Sequence, residues 1–239
     1  LGSCKKYNGE GKKIFENTEE TFKPAIDCEP CSEFKVKLEK CNCGSDAKGN
    51  TCTTGKITAE NFENKTDVNE VVMRVSDNAE SGFKGDLKSS CENAHIFEGI
   101  KENKWKCRNV CGYIVCKLEE VNGEKDNGKK ILLIRALVTH WVDNFLQDYN
   151  KIKKKLNTCM NSSDATPCIK GCVDKWIKLK KDEWEEIKKP YLEQYKNGYG
   201  ENYNVKTILE KFQDQPEFKK AIGPCPTLDA FEKSKQCNA

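Results

Sequence analysis

Fifteen cysteines against two histidines in 239 residues constrain this chain more than any other feature. Thiols persist as disulfides outside the reducing cytosol and rarely inside it. Cys4, Cys28, Cys31, Cys41, Cys43, Cys52, Cys91, Cys107, Cys111, Cys116, Cys159, Cys168, Cys172, Cys225 and Cys237 therefore read as a disulfide framework. The odd count leaves at least one thiol free or paired elsewhere, and spacing fixes no connectivity. Zinc is the competing use for Cys28-x2-Cys31, Cys41-x-Cys43 and Cys52. A tetrahedral site wants paired thiolates or imidazoles, but the second pair encloses a single residue and no histidine lies near. Cys28-Glu-Pro-Cys31 has the spacing of a redox dithiol without the βαβ pattern that normally carries one. Disulfides are the reading retained, with no metal and no cofactor.

The apolar supply is thin: 36% hydrophobic, 33% charged, mean hydropathy −0.79. Covalent staples suit such a chain, each contributing about 2–4 kcal/mol. Charge is high but balanced, with 41 basic and 38 acidic residues. A dedicated nucleic-acid surface would carry a strong basic excess. The longest apolar run, 131–138, is interrupted by Arg135 and is far short of the roughly 18 residues of a membrane span. The opening Leu1-Gly2-Ser3-Cys4 has no export-signal pattern, so the expectation is a module of a larger extracellular protein. Asn64-Lys-Thr66 and Asn161-Ser-Ser163 are glycosylation sequons of low specificity.

The chain changes character near residue 130, dividing into residues 1–128 and 129–239. The first part holds ten of the cysteines, is rich in Gly, Asn, Asp, Lys and Thr, and has poor periodicity. It reads as a loop-rich, disulfide-stapled subdomain with short helices and a possible small β-sheet. Thr58 with Asn61 three residues on resembles a helix start lacking the usual capping acid. Tyr113-Ile114-Val115 has strand composition, and Asn122-Gly123 is a tight-turn dipeptide.

The second part is helical. Ile131, Ile134, Leu137, Val138, Trp141, Phe145, Tyr149, Ile152 and Leu156 recur mostly at steps of three and four, one apolar stripe on a helix over 131–158. A second stripe, Val173, Trp176, Ile177, Lys180, Trp184, Ile187, Tyr191 and Tyr195, predicts a helix over 170–196. Lys180 would lay its stem on that stripe with its amine in water. Pro190 should kink or break the helix. The short connection makes the two helices antiparallel neighbours, stapled through Cys159 and either Cys168 or Cys172. Weaker helical pieces follow around Val205–Phe212 and Leu228–Phe231, with Cys225 and Cys237 tying down the tail. The expected architecture is mainly α and disulfide-rich: an antiparallel long-helix hairpin or three-helix bundle core with the loop-rich subdomain.

Catalytic constellations are weak. His95, read on a short helix from Cys91, and His140, beside Trp141, have no fixed geometry to a thiol. No glycine-rich phosphate loop opens a helix after a strand. The lysine run 151–155 (all but Ile152) reads first as a solvated helix end near the negative dipole terminus, and second as a sulfated-glycan site. Trp141, Trp176 and Trp184 fall on core stripes. Trp105, Phe83 and Phe97 are the candidate exposed aromatic contacts.

Three segments resemble a known family. Glu92-Asn-Ala-His-Ile-Phe-Glu-Gly-Ile100 with Lys104-Trp-Lys-Cys-Arg-Asn-Val-Cys-Gly-Tyr-Ile-Val-Cys116 is one. Leu137-Val-Thr-His-Trp-Val142 is the second. The third is Cys168-x3-Cys172-x3-Trp176-Ile-x2-Lys-Lys-x-Glu-Trp-x2-Ile-Lys188. Together they resemble the variant erythrocyte membrane protein 1 family of Plasmodium falciparum, its cysteine-rich interdomain regions or the related C-terminal part of its Duffy-binding-like domains. The resemblance implies a non-enzymatic adhesion module at the infected red-cell surface, in a multidomain protein anchored elsewhere. It implies partners among host endothelial or blood-cell receptors or serum proteins, and flanking domains of the same adhesin. One class in the family binds CD36 and another the endothelial protein C receptor. The insert carrying those contacts has no clear match here, so receptor-contact residues are not assigned. A sulfated-glycan binder and a structural spacer are the alternatives.

Overall fold

The computed structural model describes residues 33–35, 56–63, 68–119, 131–160, 167–195 and 205–234. Cys4, Cys28, Cys31, Cys41, Cys43, Cys52 and Cys237, the sequons and Asn122-Gly123 lie outside them, as do the side chains of Cys159 and Cys168. The chain forms two compact units, each built from two stretches. One comprises residues 1–69 and 106–137, the other 70–105 and 138–239. Where a single cut near residue 128 was expected, the division is interleaved. Residues 70–105 join the helical stretch because their anchors, described below, are on the long helices.

In the first unit, β1 (Glu33–Lys35) pairs antiparallel with β2 (Lys56–Thr58), Phe34 opposite Ile57. Thr58 then starts α1 (Ala59–Glu63). Its backbone N–H donates to Asn61 Oδ1 at 2.9 Å, and the Asn61 N–H returns to Thr58 Oγ1 at 3.4 Å. Asn61 thus fills the role of the capping acid the sequence lacks, since an amide oxygen accepts as a carboxylate does. Strand β4 (Gly99–Val110) enters this unit at Lys106 and turns back into β5 (Tyr113–Leu118). Cys111 and Gly112 make the turn with φ of 53° and 79°. Two consecutive positive φ values are the signature of the tight hairpin turn that matches strand twist. The Gly112 N–H donates to Asn109 Oδ1 at 3.0 Å. This register puts Cys107 opposite Cys116, and the two are disulfide-bonded. β6 (Ile131–Leu133) pairs with β5, Val115 opposite Leu133. Residues 131–133 were expected to be helical. Their apolar positions continue the helix phase, but their backbone bonds satisfy β5. Ile57, Phe62, Val110, Val115 and Ile131 form the small core.

The second unit holds β3 (Asn69–Asp77, from Glu70), α2 (Asp86–Cys91) and the start of β4. Its main mass is helical: α3 (Ile134–Met160, from Val138), α4 (Pro167–Tyr195), α5 (Val205–Glu210), α6 (Pro216–Ile222) and α7 (Leu228–Ser234). The strand order of the sheet is β3-β4-β5-β6. α3 and α4 are antiparallel: Trp141 meets Trp184 and Phe145 meets Trp176, each pair 5.4 Å between ring centroids. α4 runs through Pro190 without a break. Cys91, Phe97, Ile152, Cys172 and Trp176 lie in the core beneath, with Phe145 and Tyr149 packed on it. The fold is therefore mainly α and disulfide-rich with a small antiparallel sheet.

α2 ends at Cys91, so the helix read from Cys91 onward is absent. His95 instead has φ 50° and turns the chain toward β4. Gly99 opens β4 where a Cβ would lie 2.3 Å from Asp77 Oδ1, 3.0 Å from Ala79 Cα and 3.2 Å from the Gly82 nitrogen. Two of those neighbours are backbone and cannot rotate away. Gly99→Ala is expected to lower stability by about 1–3 kcal/mol, the usual cost of overpacking, measured by urea unfolding with an unchanged slope.

Candidate functional site

Four arrangements bear on function: a buried charge cluster, a charged groove, a basic helix end and an exposed helix face. The first lies among β3, α3 and α4. Glu183, 1% exposed, accepts from the Arg74 backbone N–H at 2.9 Å, Trp141 Nε1 at 3.0 Å and Lys180 Nζ at 2.9 Å. The Arg74 guanidinium adds an ion pair at 3.6 Å and holds Glu102 at 2.9 Å. Lys180 is itself 4% exposed, and its ammonium donates to the Arg74 carbonyl and Glu183. A lysine on an apolar stripe is expected to keep its ammonium in water. Here it is buried because Glu183, three residues on, offers a charge partner under the same stripe. Asp148 is also buried and accepts from Ser76 Oγ, with Lys151 Nζ 3.8 Å away. Nothing in the apolar periodicity marks these acids.

Burial pushes the carboxyls of Glu183 and Asp148 above their ordinary values, against the pull of Lys180 on both. A carboxyl with a raised folded-state pKa contributes most stability below its unfolded value and loses it as pH rises through the folded one. Asp148→Asn removes that titration. The wild-type Tm minus the Asp148→Asn Tm is expected to fall as pH is raised from about 4 through neutrality, the unfolded carboxylate titrating near the lower limit. A difference that grows with pH would contradict the assignment.

The groove belongs to the first unit and measures about 340 Å³, lined by Phe62, Glu63, Lys106, Arg108, Lys117 and Glu119 among others. The hairpin register sets Lys106 opposite Lys117, a like-charge pair that costs stability unless neutralised. Lys106 pairs with Glu119 and Lys117 with Glu63. The Lys117 hydrogen bond holds the Glu63 carboxyl below its ordinary value. Arg108 donates to the Phe62 carbonyl at 2.8 Å and stacks 4.6 Å over the Phe62 ring, closing the end of α1. The cations here are occupied internally, and the groove reads as a brace.

The basic helix end is partly consumed as well. Lys151 Nζ donates to Ser76 Oγ. Lys153 Nζ donates to the Lys220 carbonyl at 2.8 Å and the Ala221 carbonyl at 3.3 Å, capping the C-terminus of α6. Lys220 and Lys219 are near Glu217 and Asp214.

The candidate aromatic anchors are not exposed. Trp105 and Phe97 are buried, and Phe83 packs on the core. Ile177, placed on the buried stripe by its spacing, is instead 39% exposed, and Leu192 is 46% exposed. Ile177, Lys181, Glu185, Lys188 and Leu192 follow one another at steps of four, four, three and four, a single outward face of α4. Glu185 and Lys188 pair across it at 3.6 Å. Ile177 and Leu192 are fifteen helical steps apart, about 22 Å.

Four more of the cysteines have defined states that the spacing left open. Cys172 bonds Cys91, not Cys159, joining α4 to α2. Cys111 is disulfide-bonded, whereas Cys225 keeps a free thiol that donates to Ser234 Oγ at 3.7 Å instead of tying down the tail. Among the described residues no cluster of three or more His, Cys, Asp or Glu could hold a metal, and no helix is long and apolar enough to cross a membrane.

An antiparallel helix hairpin fastened to a sheet strand and a short helix by buried charge and a disulfide defines the class, a disulfide-braced helical module. Residues 137–239 match the family model described as PFEMP1 DBL domain, and residues 68–120 match that described as Cysteine-Rich Interdomain Region 1 gamma. The chain belongs to the PfEMP1 family, within its Duffy-binding-like and cysteine-rich interdomain modules. A solved structure of the N-terminal NTS-DBL1-alpha and CIDR-gamma double domain of PfEMP1 from the Plasmodium falciparum varO strain is similar over 69% of this chain, at 27% identity and TM-score 0.50. This chain spans 24% of that one. No curated protein matches it.

Proposed function

We propose that this chain is an extracellular adhesion module of the infected red-cell surface that binds a host cell-surface protein through the outward face of α4. The supporting observation is the pair of exposed apolar side chains, Ile177 and Leu192, set in a rim of Lys181, Glu185 and Lys188 on a helix of a PfEMP1-family module. Apolar anchors within a polar rim are the ordinary anatomy of a protein interface. α4 suits this use because its opposite face is fixed by the disulfide and the charge cluster, so the backbone that carries the outward side chains needs no further ordering on binding. The internal occupation of Lys151 and Lys153 weighs against a sulfated-glycan site at the helix end.

The oxidised module, screened against host surface receptors at two salt concentrations, is expected to bind a receptor protein with little salt dependence. Ile177→Glu with Leu192→Glu is expected to weaken that binding at least about a hundredfold, the loss of two buried anchors. Both positions face outward, so the Tm should be unchanged. Binding that collapses with salt would favour the glycan reading. No binding, together with tight association of flanking domains, would favour a spacer.

A further inference from the structure

Strand β3 is the terminal strand of its sheet, and a terminal strand presents a row of open N–H and C=O groups to any other strand. In this molecule three of those groups, at Val72 and Arg74, are occupied by side chains of one helix. The Val72 N–H donates to Glu186 Oε2 at 3.3 Å and the Arg74 N–H to Glu183 Oε1 at 2.9 Å, while the Arg74 carbonyl accepts from Lys180 Nζ. Residues 72 and 74 are two apart, so both direct their backbone groups to the same side of the strand. Residues 180, 183 and 186 are three apart, so they follow one side of α4. The helix therefore matches the strand edge group for group: two acceptors for two donors, one donor for one acceptor.

We propose that the Lys180–Glu183–Glu186 ladder is a guard that occupies the pairing edge of β3 and prevents β3 of one copy from pairing with β3 of a second copy. The edge is self-complementary. Antiparallel pairing about Met73 places Val72 opposite Arg74, the register in which two residues exchange both backbone hydrogen bonds. The same register sets Val71 opposite Val75 and Glu70 opposite Ser76, with no like charges facing. Val71 and Met73 are buried within the unit, so the face that would continue across a joined sheet is apolar. Burying Glu183 and Lys180 is costly, and a charge ladder on a strand edge is one of the few devices that an incoming strand cannot reproduce.

Three forms of the oxidised protein test this by sedimentation velocity over a concentration series and by amide exchange at Val72 and Arg74. The wild type is expected to stay monomeric with both amides protected. Glu186→Ala opens only the exposed end, leaves the buried pair intact, and is expected to speed exchange at Val72 and begin dimerisation at high concentration. Lys180→Met with Glu183→Ala and Glu186→Ala opens the whole edge without leaving a buried charge unpaired. It is expected to dimerise at least about tenfold more tightly than Glu186→Ala, and Val72→Pro added to it is expected to restore the monomer by removing the donor. If the triple variant does not fold, Glu186→Ala decides. A Glu186→Ala form with faster Val72 exchange that stays monomeric at every concentration overturns the proposal. So does a wild type already joined through β3, or association that Val72→Pro leaves unchanged.

Discussion

Replacing Cys91 and Cys172 together by alanine is expected to lower stability by about 4–5 kcal/mol, while the same change at Cys107 and Cys116 lowers it by about 2–3 kcal/mol. The ordering follows from loop closure. The first pair is separated by 81 residues and the second by 9, and the entropy that a cross-link removes from the unfolded chain grows with the logarithm of that separation. Both pairs are buried, so alanine is chosen over serine to avoid stranding a hydroxyl. The values are upper bounds, because other cross-links already restrict the unfolded chain. Urea unfolding of the two variants measures the effect. Equal losses, or a larger loss at the short hairpin, would show that native-state packing and not chain entropy governs these bridges. Only the 91–172 variant should also release α2 from α4, giving faster amide exchange over 86–91 with the exchange of β5 unchanged.

That bridge also shows where reading the sequence ends. The two long helices were legible because Trp141, Ile152, Trp176 and Ile187 recur at helical spacing, and periodicity is a local property. Pairing is non-local. Cys172 is close in sequence to Cys159, which favoured a hairpin staple, but its partner is brought from residue 91 by a segment whose own periodicity is weak. The same limit explains the errors of phase. Ile131 and Ile134 fit one stripe, yet the first is in a strand because β5 supplies backbone partners that no spacing announces. Ile177 fits the stripe of α4 but faces outward. Val142, Leu146 and Asp148 are buried although they lie off the expected stripe of α3. A helix packed on two sides buries an arc wider than one stripe. The candidate contact face was therefore hidden from the sequence, since an isoleucine at helical spacing carries the same signal whether it meets a core or a partner. Asn61 departs from the capping-box pattern for a simpler reason: an asparagine stands where an acid is usual, and its amide oxygen accepts the Thr58 N–H all the same.

Glu183→Ala is expected to cost about 3–5 kcal/mol, more than any single surface change in the module, because it strands the Lys180 ammonium in the interior. Lys180 is 4% exposed and would keep only the Arg74 carbonyl as a hydrogen-bond partner, while the Arg74 N–H and the Trp141 indole N–H would lose their acceptor. Lys180→Met is expected to cost less. Its side chain is replaced by one of similar length, and Glu183 keeps two N–H donors and the Arg74 guanidinium at 3.6 Å. The double variant is expected to be more stable than the sum of the single effects implies, by about 2–3 kcal/mol, the signature of two groups that each compensate the other's burial. Urea midpoints for the four forms complete the cycle. Strict additivity would mean that water reaches one of the two charges. A coupling that persists at high salt would place the pair in a region ions do not enter, consistent with Glu183 at 1% exposure. The asymmetry between the two single variants then identifies the lysine as the group whose burial needs compensation. The acid in turn is held by three donors, one backbone, one indole and one ammonium, that converge on it from β3, α3 and α4.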